Sequence, residues 1–151
     1  MSFSIFHVIL IALLVLPAFL PLIIKKPEGP NRFGPQPAPQ SFGSAIQVCM
    51  TKYVDGQGRA TRSEYWWFYL FTVLVGFGIG IIAGITGLEA LSYGAYAFTL
   101  PSIVAGVRRL HDINRSGWWL LIGFGLGGFV LLYWLTQPSQ RDEQQVAQVF
   151  E

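Results

Sequence analysis

The chain has 151 residues, of which 52% are hydrophobic and only 12% are charged, and its formal net charge is +2. The length suits one domain, but so apolar a composition excludes an ordinary soluble domain and indicates an integral membrane protein. The small and scattered positive charge predicts no nucleic-acid partner and favours anionic lipid, because the basic residues adjoin apolar segments. With one cysteine and two histidines, we predict no internal disulfide, metal or cofactor.

Four apolar segments approach the ~20 residues that a helix needs to cross the hydrocarbon layer. They cover residues 3–24, 65–86, 90–107 and 118–135. We therefore predict an all-α integral membrane protein with four transmembrane helices. Because proline removes a helical hydrogen bond, we also expect a kink at Pro101 in the third segment.

The distribution of Lys and Arg predicts the orientation of these segments. The first is expected to be a retained helix, since it lacks a basic start and a small-residue cleavage site and is followed by Lys25 and Lys26. Six basic residues fall in residues 25–64, three in 108–117 and one in the C-terminal tail. Nine of ten thus lie on one side, which we predict to be cytoplasmic, with both termini on the other side.

The chain divides into four parts by composition. Residues 1–26 form the first span, and the proline-rich residues 27–40 are predicted to be extended without a helix. The main membrane domain is residues 41–136, and a polar tail covers 137–151. Within the domain, residues 41–54 place apolar side chains at helical spacing, which predicts a short amphipathic helix. Two positions for it are open, in the cytoplasmic interface or packed under the bundle as core.

Glycines recur at four-residue spacing in two of the predicted spans, which leaves helix faces free of side chains. They are Gly76, Gly80 and Gly84 in the second span and Gly123 and Gly127 in the fourth. Such faces allow two helices to approach closely. We predict that the second and fourth spans pack against each other, with self-association or a partner helix as the alternative.

Residues 59–67 and 108–119 each combine arginines, a carboxylate and a tryptophan pair on the predicted cytoplasmic side, and we call them the first and second clusters. Their arginines are Arg59, Arg62, Arg108, Arg109 and Arg115, their supporting polar residues are Glu64, His111 and Asp112, and their tryptophans are Trp66, Trp67, Trp118 and Trp119. In a structural interpretation, the arginines follow the positive-inside rule, the indoles set the depth in the interface and the carboxylates neutralise their neighbours.

A sharper hypothesis is that the five arginines converge into a pocket for a phosphate, either of a lipid headgroup or of a soluble anion, since a guanidinium can hold two phosphate oxygens. Catalysis is a weaker alternative. His111 and Asp112 are adjacent, but neighbours on a helix point about 100° apart, so this carboxylate does not orient that imidazole. No further catalytic motif accompanies them, and we predict no enzymatic activity.

The two clusters also resemble a known family. Gly58-Arg59-Ala60-Thr61-Arg62-Ser63-Glu64-Tyr65-Trp66 is followed by Arg108-Arg109-Leu110-His111-Asp112 and Arg115-Ser116-Gly117-Trp118-Trp119. In order, spacing and membrane context, residues 41–135 resemble the bacterial inner-membrane family called domain of unknown function 805. The resemblance implies a small helical protein of the bacterial cytoplasmic membrane. In such a membrane, the distribution of Lys and Arg predicts that both termini lie in the periplasm. It implies no established activity.

One departure from the family pattern concerns residues 31–35. Family members place an Asn-Arg-Phe-Gly-Pro segment after their last apolar span, whereas here that segment follows the first span. The resemblance implies that the first span replaces the last helical segment of the family in space. We therefore expect Arg32 and Phe33 to pack near one of the clusters, in this chain or in a neighbouring copy.

The expected function is that of a non-enzymatic accessory or scaffolding subunit of a larger bacterial membrane protein complex, with anionic-lipid binding as an added property. A chain without buried charge in its spans and without a catalytic set still offers contact surfaces. The alternative is a small transporter, or a sensor of an anionic phosphorylated ligand, that uses the arginine pocket. An enzyme acting on lipid headgroups ranks third.

Overall fold

The computed structural model describes residues 4–142, and all regular structure within this range is helical. Three helical segments are long and apolar enough to cross a membrane, namely Ile5–Ile23, Arg62–Thr86 and Glu89–Asp112. The predicted all-α membrane class is confirmed.

The first span changes its helix type at two prolines. It consists of α1 (Ile5–Val15), a 3₁₀ turn (Leu16–Phe19) and α2 (Leu20–Ile23). Pro17 and Pro21 each lie at the second position of their segment, where the missing N–H removes no helical hydrogen bond. The prolines therefore divide the span without ending it.

Between the first and second spans, residues 25–41 contain no helix, and α3 (Phe42–Thr51) follows. Ser41 and Ser44 form a reciprocal cap at the start of α3. The face of α3 that carries Ala45 and Cys49 is buried, and Cys49 packs with residues of the second and third spans. This face belongs to the core.

The second span is α4 (Arg62–Thr86). It begins after Thr61, whose side-chain oxygen accepts a hydrogen bond from the Glu64 amide at 3.3 Å. It ends at Gly87, where a φ of +70° turns the chain away from the helix axis. These local signals give α4 its boundaries at both ends.

The third span joins a 3₁₀ helix (Glu89–Phe98) to α5 (Thr99–Asp112). Pro101 lies in the first turn of α5, where backbone N–H groups have no intrahelical partner in any case. The expected kink inside a long helix is thus replaced by a change of helix type at Thr99, two residues before the proline.

The predicted fourth span is not a single helix. A 3₁₀ helix (Gly117–Gly123) is followed by a turn and by α6 (Gly127–Thr136), which has only 10 residues. Trp119 and Trp134 stand near the two ends of this stretch, yet their ring centroids are 5.2 Å apart. The stretch is therefore a helical hairpin, and its glycine-rich centre is the turn.

The hairpin brings the start of the C-terminal tail back to the clusters. The Gln140 amide donates to the Asp112 carbonyl at 3.1 Å, and its side chain donates to the Gly29 carbonyl at 2.8 Å. The prediction that the tail lies on the side opposite to the clusters is therefore wrong for residues 137–142. With Arg141, all ten basic residues belong to segments at this end of the bundle.

The glycine rows do not pack against each other. In the part of the chain that the structure describes, a Cβ added at Gly76, Gly80 or Gly84 would meet no neighbour within 4 Å. Gly123 and Gly127 pack inside their own hairpin, against Leu131 and Ile122. The prediction that the second and fourth spans pack through their glycine faces is wrong, because the hairpin uses its glycines for its own turn.

Candidate functional site

The two predicted clusters meet in one buried ion network at the end of the bundle. Arg59 Nε lies 3.0 Å from Asp112 Oδ1, and Arg109 Nη1 lies 2.5 Å from Asp112 Oδ2. Arg59 is 3% exposed, while Arg109 and Asp112 are fully buried. Each carboxylate oxygen therefore holds one guanidinium, and this shared carboxylate joins the first cluster to the second.

Local backbone structure positions these side chains. The Ala60 amide donates to the Arg108 carbonyl at 3.0 Å, which holds the segment before α4 against the last turns of α5. Gly58 has a φ of +77°, a conformation that glycine adopts at little cost. Arg109 and Asp112 are three residues apart on α5 and so project from the same face.

The outer edge of the Arg59 guanidinium binds chain segments that are distant in sequence. Its Nη1 donates to Asp142 Oδ1 at 2.7 Å and to the Gly34 carbonyl at 3.1 Å, and its Nη2 donates to the Gln140 carbonyl. Burial alone would raise the pKa of Asp142, but hydrogen bonds from the Gln36 amide and from Arg59 hold that pKa below its ordinary value. Arg59 thus links the proline-rich segment to the start of the tail through hydrogen bonds.

A second buried ion pair joins α4 to α5. Arg108 Nη1 is 2.6 Å from Glu64 Oε1, and both side chains are almost inaccessible. Cys49 completes the group, since its thiol faces Glu64 at 3.8 Å and Arg108 Nη2 at 3.6 Å. Burial, followed by the charge of Glu64, raises the pKa of the Cys49 thiol to about 11. The helical spacing of apolar residues in 41–54 placed Cys49 on the apolar face of the predicted helix but gave no sign of these polar neighbours.

Residues 31–35 pack on the second cluster of the same chain. The Asn31 side-chain amide donates to the carbonyls of His111 at 2.8 Å and of Asp112 at 3.2 Å, which caps the end of α5. The Phe33 ring stacks on the His111 ring with centroids 3.7 Å apart and an interplanar angle of 3°. The Arg32 amide donates to Asn114 Oδ1 at 3.3 Å. Arg32 and Phe33 therefore lie where we expected them.

Asn114 is a site residue that the sequence did not reveal. It is fully buried, has a φ of +60°, and accepts hydrogen bonds from Arg32 while its amide donates to the Pro27 carbonyl. Asn is among the few non-glycine residues that tolerate this conformation, so its place directly after α5 was the one available signal.

The other two arginines remain outside the network. Arg62 is exposed and lines a cavity of about 590 Å³ together with Trp66 and Trp67. The Arg115 guanidinium carbon lies 3.8 Å from the centroid of the Trp134 ring, and Arg115 lines a separate cavity. The hypothesis that all five arginines converge into one phosphate pocket is wrong, because three of them are neutralised inside the protein.

The four tryptophans also separate into two kinds. Trp118 is 79% exposed and Trp67 is 41% exposed, as expected for indoles at a membrane interface. Trp66 donates its ring N–H to the Leu135 carbonyl at 3.3 Å, and Trp119 packs on Trp134. Only the first two are available to set the depth of the protein.

The network leaves His111 and Asp112 without contact to each other. His111 Nδ1 lies 3.1 Å from the Gly58 carbonyl, and both Asp112 oxygens are occupied by arginines. In residues 4–142, no three His, Cys, Asp or Glu side chains are grouped as metal ligands would be. The arrangement can hold chain segments together, and an acid–base pair would need a different geometry.

Comparison with known proteins agrees with this membrane architecture. Residues 53–146, more than half of the chain, match the family described as protein of unknown function (DUF805), and residues 31–35 lie outside the matched region. The chain is 43% identical over 89 residues to inner membrane protein YhaI of Escherichia coli K12, covering 55% of this chain and 75% of that protein. It is 38% identical over 81 residues to inner membrane protein YhaH of the same organism, covering 48% and 66%. No solved structure matches the chain.

Proposed function

The chain belongs to the family described as domain of unknown function 805, and from that premise we propose that it is a non-enzymatic accessory or scaffolding subunit of a larger complex in the bacterial inner membrane. In this proposal, the buried network holds the cytoplasmic end together and the membrane-facing helices supply the contacts. Binding of anionic lipid by Arg62 beside the exposed Trp67 is a further part of the proposal.

The ion network supports a structural rather than a chemical role for the clusters. Arg59, Arg108 and Arg109 are 0–3% exposed and each pairs with a carboxylate of the same chain. Removing either partner of such a pair leaves an uncompensated buried charge, so these groups are not free to bind and release a ligand. A transporter or sensor that works through this cluster would need them free.

The observation that carries the proposal is that few residues of the spans are buried against other parts of the chain. In the most apolar 18-residue window of each span, 0% of the residues are buried in Ile5–Ile23, 11% in Arg62–Thr86 and 22% in Glu89–Asp112. The open glycine row Gly76, Gly80 and Gly84 adds a face where a backbone can approach closely. We infer that the partner is a transmembrane helix of another membrane protein, seated on this row of α4.

The test uses gentle extraction of the full chain from its own membrane, followed by native mass spectrometry of the intact complex. A stoichiometric partner should accompany the native chain and be lost from Gly80→Leu, because a leucine side chain separates two closely packed backbones. Gly78→Leu is the matched control, since Gly78 also has open space around it but faces away from the row.

Three results are distinguishable. A heteromeric mass that Gly80→Leu removes and Gly78→Leu preserves supports the proposal. If the mass is instead a multiple of the mass of this chain, and Gly80→Leu removes it while Gly78→Leu preserves it, then the glycine row mediates self-association and not binding to a larger complex. A monomeric mass for the native chain, or equal effects of the two variants, contradicts the role of the glycine row.

A further inference from the structure

A pair of cations lies outside the ion network, where the end of the first span meets the hairpin. Lys26 and Arg115 line a cavity of about 360 Å³, a size in the range of ligand-binding sites. The remaining walls come from Ile113 after α5 and from the end of α6 with the segment after it, including Tyr133, Trp134 and Ser139. The cavity therefore joins two basic residues from distant parts of the chain to hydroxyl-bearing and aromatic side chains.

The two cations have no counter-charge in the described chain. Among residues 4–142, no carboxylate lies within ion-pair distance of Lys26 or Arg115. Partial burial, followed by the positive charge of Arg115, lowers the pKa of Lys26. Two like charges held near each other favour an anion between them, since the anion would remove their repulsion.

Arg115 is fixed in a geometry that leaves hydrogen-bonding capacity unused. Its guanidinium lies on the face of Trp134 at 3.8 Å, and Arg115 Nη1 is buried without a hydrogen-bond partner. A buried polar donor without an acceptor is unfavourable and uncommon in folded proteins. Arg108 Nε is also without a partner, but Arg108 pairs with Glu64, and Arg59 and Arg109 pair with Asp112, whereas Arg115 has no such carboxylate within residues 4–142.

We propose that the cavity lined by Lys26 and Arg115 binds a phosphate group, with the guanidinium and the ammonium on the phosphate oxygens. A planar guanidinium presents paired N–H donors that match two oxygens of a phosphate, and an ammonium adds a compact charge. Tyr133 and Ser139, whose side chains carry hydroxyl groups, line the same cavity. The site goes beyond the proposed function, because it would operate with or without a protein partner.

The phosphate can belong to a membrane lipid or to a soluble molecule, and the experiment has an arm for each source. In the first arm, the full chain is placed in phosphatidylcholine nanodiscs that contain increasing fractions of phosphatidylglycerol. Native mass spectrometry then counts the lipids that stay bound to the chain after it is released from the nanodisc. In the second arm, inorganic phosphate is added to the chain in dodecyl maltoside, a detergent without phosphate, and the thermal midpoint of the chain is compared with that in an equal concentration of chloride.

The variants are Lys26→Gln and Arg115→Gln, with Lys25→Gln as the matched control because Lys25 carries the same charge but does not line the cavity. Each cavity variant should weaken phosphate binding by about tenfold, the effect of losing one charge-assisted hydrogen bond. Lys26 is exposed, so its variant stays informative if Arg115→Gln lowers stability.

Retention of phosphatidylglycerol that both cavity variants reduce assigns the site to a lipid headgroup. A thermal shift with inorganic phosphate that both variants abolish assigns it to a soluble phosphate. Binding in neither arm, or an equal loss in Lys25→Gln, overturns the proposal and leaves the accessory role untouched.

Discussion

Arg59 and Asp112 form an ion pair of 3.0 Å, although they stand 53 positions apart in the sequence and neither side chain is accessible. The pair joins the segment that leads into α4 to the last turn of α5. Asp112 also holds Arg109, and Arg59 also holds Asp142. One carboxylate and one guanidinium thus connect the second span, the third span and the tail.

Replacing Asp112 by Asn should strongly destabilise the protein, because two buried arginines would lose their counter-charge. Breaking a buried ion pair from one side typically costs about 3–5 kcal/mol. Unfolding of the purified chain in detergent, followed by tryptophan fluorescence, measures the change. Asp55→Asn is the control, since Asp55 is exposed, and its midpoint should stay near the native one. Equal midpoints for the two variants would show that the network is not needed for stability.

The tip of the hairpin should be sensitive to a single methyl group. The Leu126 amide donates to the Leu14 carbonyl at 3.0 Å, and a Cβ on Gly125 would lie 2.5 Å from that carbonyl oxygen, at a φ of +66°. Unpaired backbone groups are unfavourable in lipid, so this hydrogen bond stabilises the contact. Gly125→Ala should therefore lower the free energy of unfolding by at least about 1–3 kcal/mol.

The control for this substitution is Gly43→Ala. Gly43 lies in α3 with open space around it, so alanine there should leave stability unchanged or raise it by about 0.5–1 kcal/mol through helix propensity. Denaturant titration of both variants gives the comparison. If the two alanine substitutions have the same effect, the tip of the hairpin is not in contact with the first span.

The hairpin predicts that the start of the tail and the clusters share one side of the membrane. Arg141→Cys should be protected from a membrane-impermeant maleimide in spheroplasts, whereas Glu89→Cys, at the other end of α4, should react. Both should react after permeabilisation. The native Cys49 is buried and contributes little background. Labelling of both positions in intact spheroplasts would contradict the hairpin and favour a fourth span.

The Cys49 thiol should be unreactive in the folded protein. Burial and the charge of Glu64 raise its pKa from 9.0 to about 11, so the thiolate is scarce at neutral pH. A raised pKa means that the contribution of this group to stability is fully present below pH 9.0 and is lost as the pH rises toward about 11.

Thiol titration with a disulfide reagent, before and after denaturation in SDS, measures the reactivity of Cys49. Unfolding experiments between pH 9.0 and about 11 measure the loss of stability. The variant Cys49→Ala should show a shallower fall of stability with pH, because it lacks the thiol. Rapid reaction of the folded native chain at pH 8 would contradict the buried position.

The stack of Phe33 on His111 should couple the segment of residues 31–35 to the second cluster. A double-mutant cycle with Phe33→Ala and His111→Ala should give a coupling of about 0.5–1.5 kcal/mol in unfolding free energy, as measured for other aromatic pairs. A coupling near zero would mean that the ring contact adds nothing to stability. The idea that residues 31–35 replace the terminal segment of the family stays a prediction, because the region that matches the family begins at residue 53.

Several features followed directly from local sequence signals. An apolar length sufficient for a membrane is a property of composition, whereas the cap at Thr61 and the stop at Gly87 were identified only in the structure. The proline-rich segment has no helix because each proline withholds a donor. The hairpin was missed because length and hydropathy are the same for one 18-residue helix and for two short helices with a glycine turn between them.

The sequence by itself determined the membrane class, the family and the concentration of charge at one end of the bundle, because hydropathy, motif order and the count of Lys and Arg are local quantities. Only the tertiary structure decided which arginines are accessible. Arg59 and Arg109 resemble Arg115 in the sequence, but they meet Asp112 from different segments and are neutralised, whereas Arg115 meets Trp134 and has no carboxylate partner within residues 4–142. Pairing across distant segments depends on where the chain folds, and residue spacing does not contain that information.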